Sequence, residues 1–302
     1  MNIYSAISGN RGKTWLIMAL FILFVSTVGY VFAKALGYNE WSFVAFALLF
    51  SGISSMSSYY FSDKLVLATM NAHPIEEKDN PMLFHLVENL AIGDGVPMPT
   101  IYTIDTPAAN AFATGRDPKH AVICVTTGIL QQLDKAELEG VIAHEMSHVK
   151  NYDTRLMGVV AVLVGFVAIA ANLFMQNLWW GGMRRDDRDR EGGQLEMIYL
   201  AIGVVFAILS PLVATLIQLA ISRKREYLAD ASGALLTRYP EGLASALEKI
   251  AQDPHTVPGA SNATAHLFIE NPYKGKEAKQ WFTSLFDTHP PIEERIRILR
   301  SM

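Results

Sequence analysis

Residues 134–155 read DKAELEGVIAHEMSHVKNYDTR, and the charge-free run 156–183 follows at once. Asp134 and Glu137 stand three apart ahead of Leu138, Val141, Ile142, Met146 and Val149, the pattern of an apolar-striped helix opened by a capping box. His144 and His148 are four apart, so on such a helix they leave from nearly one face and can grip a single ion. Glu145 lies beside them. One helix thus carries a polar cluster on one face and an apolar stripe on another, and it delivers the chain to a segment long enough to cross a bilayer. The expectation is a folded polar part seated against a membrane.

Composition agrees. Of 302 residues, 51% are hydrophobic and 18% charged, too apolar a balance for an ordinary soluble domain. Four segments lack charge for the ~20 residues that a spanning helix needs: Thr14 to Ala33, Trp41 to Ser62, Leu156 to Met183 and Met197 to Ser222. Ser51, Ser54, Ser55, Ser57 and Ser58 make the second half of the Trp41 segment polar, so that half is expected to face other helices. The first segment also reads as a signal peptide, with Arg11 and Lys13 ahead of it and Ala33-Lys34-Ala35 imitating a cleavage site. Its apolar stretch exceeds the usual roughly 7 to 15 residues, which favours an uncleaved anchor. The net charge of −4 gives no basic surface for nucleic acid. The single cysteine, Cys124, lies in an apolar run and reads as a buried strand residue, with no disulfide and no thiolate site.

Between the second and third segments, a helix is expected over Ile75 to Ile92, ending near Gly93 and Gly95. Short strands are expected over Thr100 to Asp105, Asn110 to Thr114 and His120 to Thr126. The tail beyond the fourth segment is largely helical, is broken at Asp253 to Pro258, and ends in a basic helix after Pro290 and Pro291. The resulting division is a transmembrane hairpin (1–62), a first polar part (63–155), a second hairpin (156–222) and a second polar part (223–302).

The helix bearing His144 and His148 can hold zinc through neutral imidazoles, with Glu145 as general base toward an activated water. A third carboxylate ligand is available at Glu226. Asp230 shares its face four residues on and can orient a ligand histidine. Ala229, Ala231, Ser232 and Gly233 would let this second helix lie close to the first. An even number of spans separates His148 from Glu226, so the two can meet on one side of the membrane. Arg11 and Lys13 before the first segment, and Arg223, Lys224 and Arg225 after the fourth, make that side cytoplasmic by the positive-inside rule. The loop Arg184 to Glu196, with four arginines and five acids, is the discordant signal. Arg223 to Arg225 reads as a cluster drawn to anionic lipid heads.

Together, the His144-Glu-Met-Ser-His148 helix, the string Ser222-Arg-Lys-Arg-Glu-Tyr-Leu-Ala-Asp230 and the two hairpins resemble the HtpX-like family of integral-membrane zinc endopeptidases. That group is related to the prenyl-protein (CAAX) endopeptidases. The likeness covers nearly the whole chain. It implies one zinc ion on His144, His148 and Glu226, Glu145 as general base, and proteolytic quality control of protein or peptide substrates at the bacterial inner membrane, with the catalytic part in the cytoplasm. Asn110-Ala111-Phe112 with Gly115 resembles the family's edge strand, which pairs with the substrate backbone; read from the residues alone, it is equally a hairpin strand with Phe112 in the core. Thr288-His289-Pro290-Pro291 with Arg295 resembles the family's C-terminal motif, which implies that His289 and Arg295 lie near the zinc and can stabilise the developing oxyanion.

His73, His85, His120, His255 and His266 lack partners at ligand spacing and read as surface or packing residues, while Asn151 and Asp153 stand where they could support the ligands. Two other classes remain. A non-enzymatic scaffold has no use for Glu145 between the histidines, and a metal transporter would place ionisable groups within the spans, which hold none. The expected fold is a mainly α membrane protein, with four transmembrane helices and a zincin-like α+β catalytic domain containing a small β-sheet.

Overall fold

The computed structural model of the chain describes residues 3–35, 39–182, 223–261, 263–273 and 290–302. The fourth expected span, the loop before it and His289 lie outside them.

Helices α1 (Ile3–Ala35) and α2 (Glu40–Thr69) pack along each other, and α2 is opened by Asn39, whose side chain accepts from the Ser42 N–H. Among the described residues, Gly9–Tyr30 and Trp41–Thr69 are long and apolar enough to cross a membrane. Trp41, Leu49 and Ile53 point outward, whereas Ser51, Ser54, Ser55 and Ser58 are buried. This inverted distribution suits lipid, where small polar residues serve the helix contacts. The Ser51 and Ser58 hydroxyls donate back to the Ala47 and Ser55 carbonyls. α2 runs past the expected boundary at Ser62, so the first polar part begins inside a helix.

The sheet has the order β1-β2-β4-β3, formed by β1 (His73–Pro74), β2 (Thr100–Ile104), β3 (Ala111–Thr114) and β4 (Val122–Thr126). β2 and β4 are parallel, while β3 runs antiparallel to β4 at the sheet edge. β1 was not foreseen. Helix α3 (Pro81–Asp94) starts later than expected, because Pro81 occupies its first turn and the Asn80 side chain caps the Leu83 N–H. It ends on Gly95, whose left-handed conformation stops the helix where expected. Cys124 is fully buried in β4, and burial pushes its thiol up.

Short α4 (Thr127–Gln132) leads into α5 (Lys135–Lys150), which opens on the Asp134/Glu137 capping box. Then follow α6 (Asp153–Gly182), which takes up the third expected span, α7 (Arg223–Thr237), α8 (Pro240–Gln252) and, at the end, α9 (Ile292–Leu299). α5 is the central element. It packs on α3, α7, α8 and the sheet, and Leu138, Val141, Ile142 and Met146 lie in a core with Leu83, Ile101, Ile123, Leu243 and Leu247. Each such side chain contributes roughly 1.5–3 kcal/mol by leaving water, so the two polar segments of the chain are held together chiefly through this helix. On the membrane side, Ile17, Met18 and Phe21 of α1 pack against Leu156, Val159, Val160 and Leu163 of α6.

Candidate metal centre

His144 and His148 project from α5 into a buried space closed by α7. Their Nε2 atoms lie 3.2 Å apart. Glu226, in the first turn of α7, brings Oε2 to 3.7 Å from His144 Nε2 and Oε1 to 3.6 Å from His148 Nε2. The ligand-capable atoms of the three residues lie within 4.8 Å of one another, and all three side chains are buried. The second nitrogen of each ring faces a carboxylate. Asp230 Oδ1 is 2.9 Å from His144 Nδ1, and Asp153 Oδ2 is 3.1 Å from His148 Nδ1. A carboxylate behind each imidazole fixes the tautomer that turns Nε2 toward the centre.

Both carboxylates are themselves held. Arg295 is fully buried and donates through Nε and Nη2 to Asp230, at 2.9 and 2.7 Å, and through Nη1 to the Ile269 carbonyl at 3.2 Å. Asp153 Oδ1 accepts from Arg225 Nη1 at 3.0 Å and from Asn10 Nδ2 at 2.7 Å. Arg295 therefore braces Asp230 with the donors that the oxyanion role would need. Arg225 is 7% exposed and faces inward, not toward lipid heads, because Asp153 and Asn10 offer it buried acceptors.

The titration behaviour follows from this packing. Burial pushes His144 down and keeps it neutral. Burial alone would do the same to His148, but the contact with Asp153 and the charges of Glu226 and Glu145 outweigh it and raise the ring to about 9. Burial lifts Glu145 to about 7, the Glu226 charge adding and His148 and the donated Ala113 N–H opposing. For Asp230 burial works upward, yet Arg295 and His144 bring it down to about 2. Among the described residues, Glu145, Glu226, Asp230 and Asp153 stand around the imidazoles with Arg225 and Arg295, all buried. Two imidazoles with one carboxylate are a donor set that suits zinc with a position left open.

Asn110 precedes β3, and Ala111 and Phe112 open it, next to this centre. The Phe112 side chain is in the core, against Phe268 with ring centroids 5.1 Å apart. The outward edge of the strand is in use. The Ala111 carbonyl accepts from Ile269 N–H at 3.0 Å, Phe112 bridges Phe268, and Asn110 Nδ2 donates to the Glu270 carbonyl at 2.9 Å. Further along, the Ala113 N–H serves Glu145. His73, His85, His120, His255 and His266 all lie away from this cluster: His85 beside Glu88, His120 beside Asp117 and His255 beside Asp253, with His266 buried against the Met157 carbonyl. Sequence reasoning missed Asn10, a lone amide ahead of an apolar run, and misread Arg225, whose only local signal is its place beside Glu226.

The chain is similar to known proteins. The profile of peptidase family M48 matches residues 77–302. A protease HtpX homolog of Caldanaerobacter subterraneus subsp. tengcongensis is 45% identical over 99% of this chain and 98% of its own, and one of Tropheryma whipplei is 46% identical over the same shares. A protease HtpX homolog of Lactobacillus helveticus is 43% identical over 99% of this chain and 100% of its own. The crystal structure of S. mikatae Ste24p superposes with a TM-score of 0.50 at 19% identity, with 95% of this chain and 66% of that one covered.

Proposed function

Because the chain belongs to peptidase family M48, we propose that it is a membrane-bound zinc metalloendopeptidase that cuts misfolded or membrane proteins. The observation that carries this reading is the convergence of buried His144, His148 and Glu226, each imidazole backed by a carboxylate, with Glu145 alongside. When bound, a zinc ion would supply Lewis-acid polarisation of the scissile carbonyl and acidify a water. The rest falls to the chain. Glu145, steadied by the Ala113 N–H, accepts the proton from water and returns it to the leaving amine. In the metal-free chain burial raises this carboxyl, which makes it a stronger proton acceptor. Asp230 and Asp153 hold the imidazoles in their tautomers, and Arg295 and Arg225 hold Asp230 and Asp153. Displacement of residues 268–270 from the edge of β3 would free Asn110, Ala111 and Phe112 to align an extended substrate backbone, and His289 would steady the oxyanion. No covalent intermediate is required.

In this reading, residues 63–155 and 223–302 make one catalytic domain on the cytoplasmic face of a bacterial inner membrane, on four spans, consistent with Arg11, Lys13, Arg223 and Lys224. The substrates are then segments leaving the bilayer beside the pocket. Elemental analysis of the purified chain, with cleavage of an unfolded test protein such as casein before and after chelation, tests the proposal. One zinc per chain and chelator-sensitive cleavage are expected. A chain that binds no divalent metal, or that cleaves equally well without it, would sink it.

A further inference from the structure

The first membrane helix reaches the metal centre through a buried side chain. Asn10 of α1 is 3% exposed and uses its whole amide: Nδ2 donates to Asp153 Oδ1 at 2.7 Å and to the Asn151 carbonyl at 3.0 Å, and Oδ1 accepts from Arg225 Nη1 at 3.3 Å. Arg225 in turn donates to the same Asp153 oxygen at 3.0 Å. The other oxygen of Asp153 faces His148 Nδ1. Side chains of α1, α5, α6 and α7 therefore meet at one carboxylate, and that carboxylate orients one of the imidazoles. A buried carboxylate with only one fixed oxygen can rotate away from the ring. Two donors on Oδ1 deny it that rotation. Asn10 also occupies the Asn151 carbonyl at the end of α5, so it fixes the end of α5 and the start of α6 together.

We infer that Asn10 is a positioning residue for His148, acting through Asp153, so that the N-terminal helix is part of the metal centre and not only its anchor. This rests on the metal-site reading above. Breaking the outer partners of a metal-bound histidine weakens the metal by roughly 10- to 100-fold. Asn10 stands one residue further out, so the lower end of that range applies.

The test uses the full chain purified in a membrane mimic, with the rate of zinc release to a chelator and the visible absorption of the cobalt-loaded protein as readouts. Asn10→Leu fills similar space without hydrogen bonds. Asn10→Ser stays polar but is too short to reach Asp153, and it serves if the leucine variant does not fold. Thr14→Val is the control: the Thr14 hydroxyl donates to the Asn10 carbonyl on the same helix and does not touch Asp153. Zinc release about tenfold faster in the Asn10 variants, with shifted cobalt bands and wild-type behaviour in Thr14→Val, supports the assignment. Wild-type zinc release and cobalt bands in the Asn10 variants overturn it, and so does an equal loss in Thr14→Val, which would make helix packing the cause. A wild-type chain that takes up neither metal overturns the metal reading itself, a result distinct from either.

Discussion

Gly233 lies against the backbone of His144. A β-carbon at position 233 would sit 3.0 Å from the His144 nitrogen and 3.3 Å from its Cα. Helix α7 can bring Glu226 to the imidazoles only because this contact has no side chain. Gly233 is two turns from Glu226 on the same face, so a larger residue there levers the carboxylate away. Gly233→Val is expected to lower stability by about 1–3 kcal/mol through overpacking and to lose zinc. Zinc per chain and the unfolding temperature measure the two effects, and a valine variant equal to wild type in both would show that this approach does not position Glu226.

Glu145 has two separable signatures. Glu145→Gln keeps the shape of the side chain and removes the base, so cleavage should fall by ~100-fold or more while zinc is retained. The second concerns pH. In the metal-free protein burial raises the Glu145 carboxyl from its ordinary value of 4.5 to about 7. A raised pKa means that the neutral form is favoured in the folded state, so its contribution is fully present below about 4.5 and is lost as pH rises through about 7. His148, held up to about 9 in part by the Glu145 charge, loses that part in the glutamine variant, which acts in the same direction. The metal-free glutamine variant should therefore gain on metal-free wild type as pH rises from 5 to 8, an interval bracketing that transition. Unfolding temperatures across that range that differ by a constant amount would place the Glu145 titration elsewhere.

What was legible depended on how local its cause is. The capping box, apolar stripe and histidine spacing of α5 sit within one helix, and α5 is as expected. The close seat of α7 was visible in Ala229 and Gly233. The start of α3 was misjudged because the apolar pattern was followed across Pro81, which sets the first turn. β1 is two residues long and exists only through pairing with Thr103 and Tyr102, and no two-residue pattern announces that. Arg225 was read as lipid-facing because its neighbours in sequence are basic, while its partner Asn10 is 215 positions away. Long-range polar pairings leave no periodic trace, and the supports of the metal site are made of them.

Arg295 and Asp230 form an ion pair that excludes water. Removing one partner of such a pair typically costs about 3–5 kcal/mol, because the other charge is left buried. Arg295→Met should therefore be destabilised by about that much at neutral pH. The loss should also depend on acidity. Arg295 and His144 hold Asp230 down to about 2 against burial. A depressed carboxylate pKa gives stability that is present above the unfolded value of about 3.9 and is lost as pH falls through the folded value. The gap between wild type and Arg295→Met should narrow between about pH 4 and pH 2. A gap that stays constant down to pH 2 would mean that the methionine variant suffers from poor packing and not from the unpaired carboxylate.

The edge of β3 offers the last test. The upstream half of that edge is already paired, through Ile269 N–H to the Ala111 carbonyl at 3.0 Å. A substrate strand adding there must displace residues 268–270, so the chain competes with its own substrate. Ile269→Pro removes the donor, and the preceding Phe268, at φ −76° and ψ 150°, already has the backbone conformation favoured before proline. One hydrogen bond of this kind is worth about 1 kcal/mol net. The proline variant is therefore expected to lower KM for an unfolded protein about fivefold, with kcat nearly unchanged, since 1 kcal/mol corresponds to that factor. If KM and kcat both match wild type, β3 is a covered structural strand and the substrate backbone is aligned elsewhere.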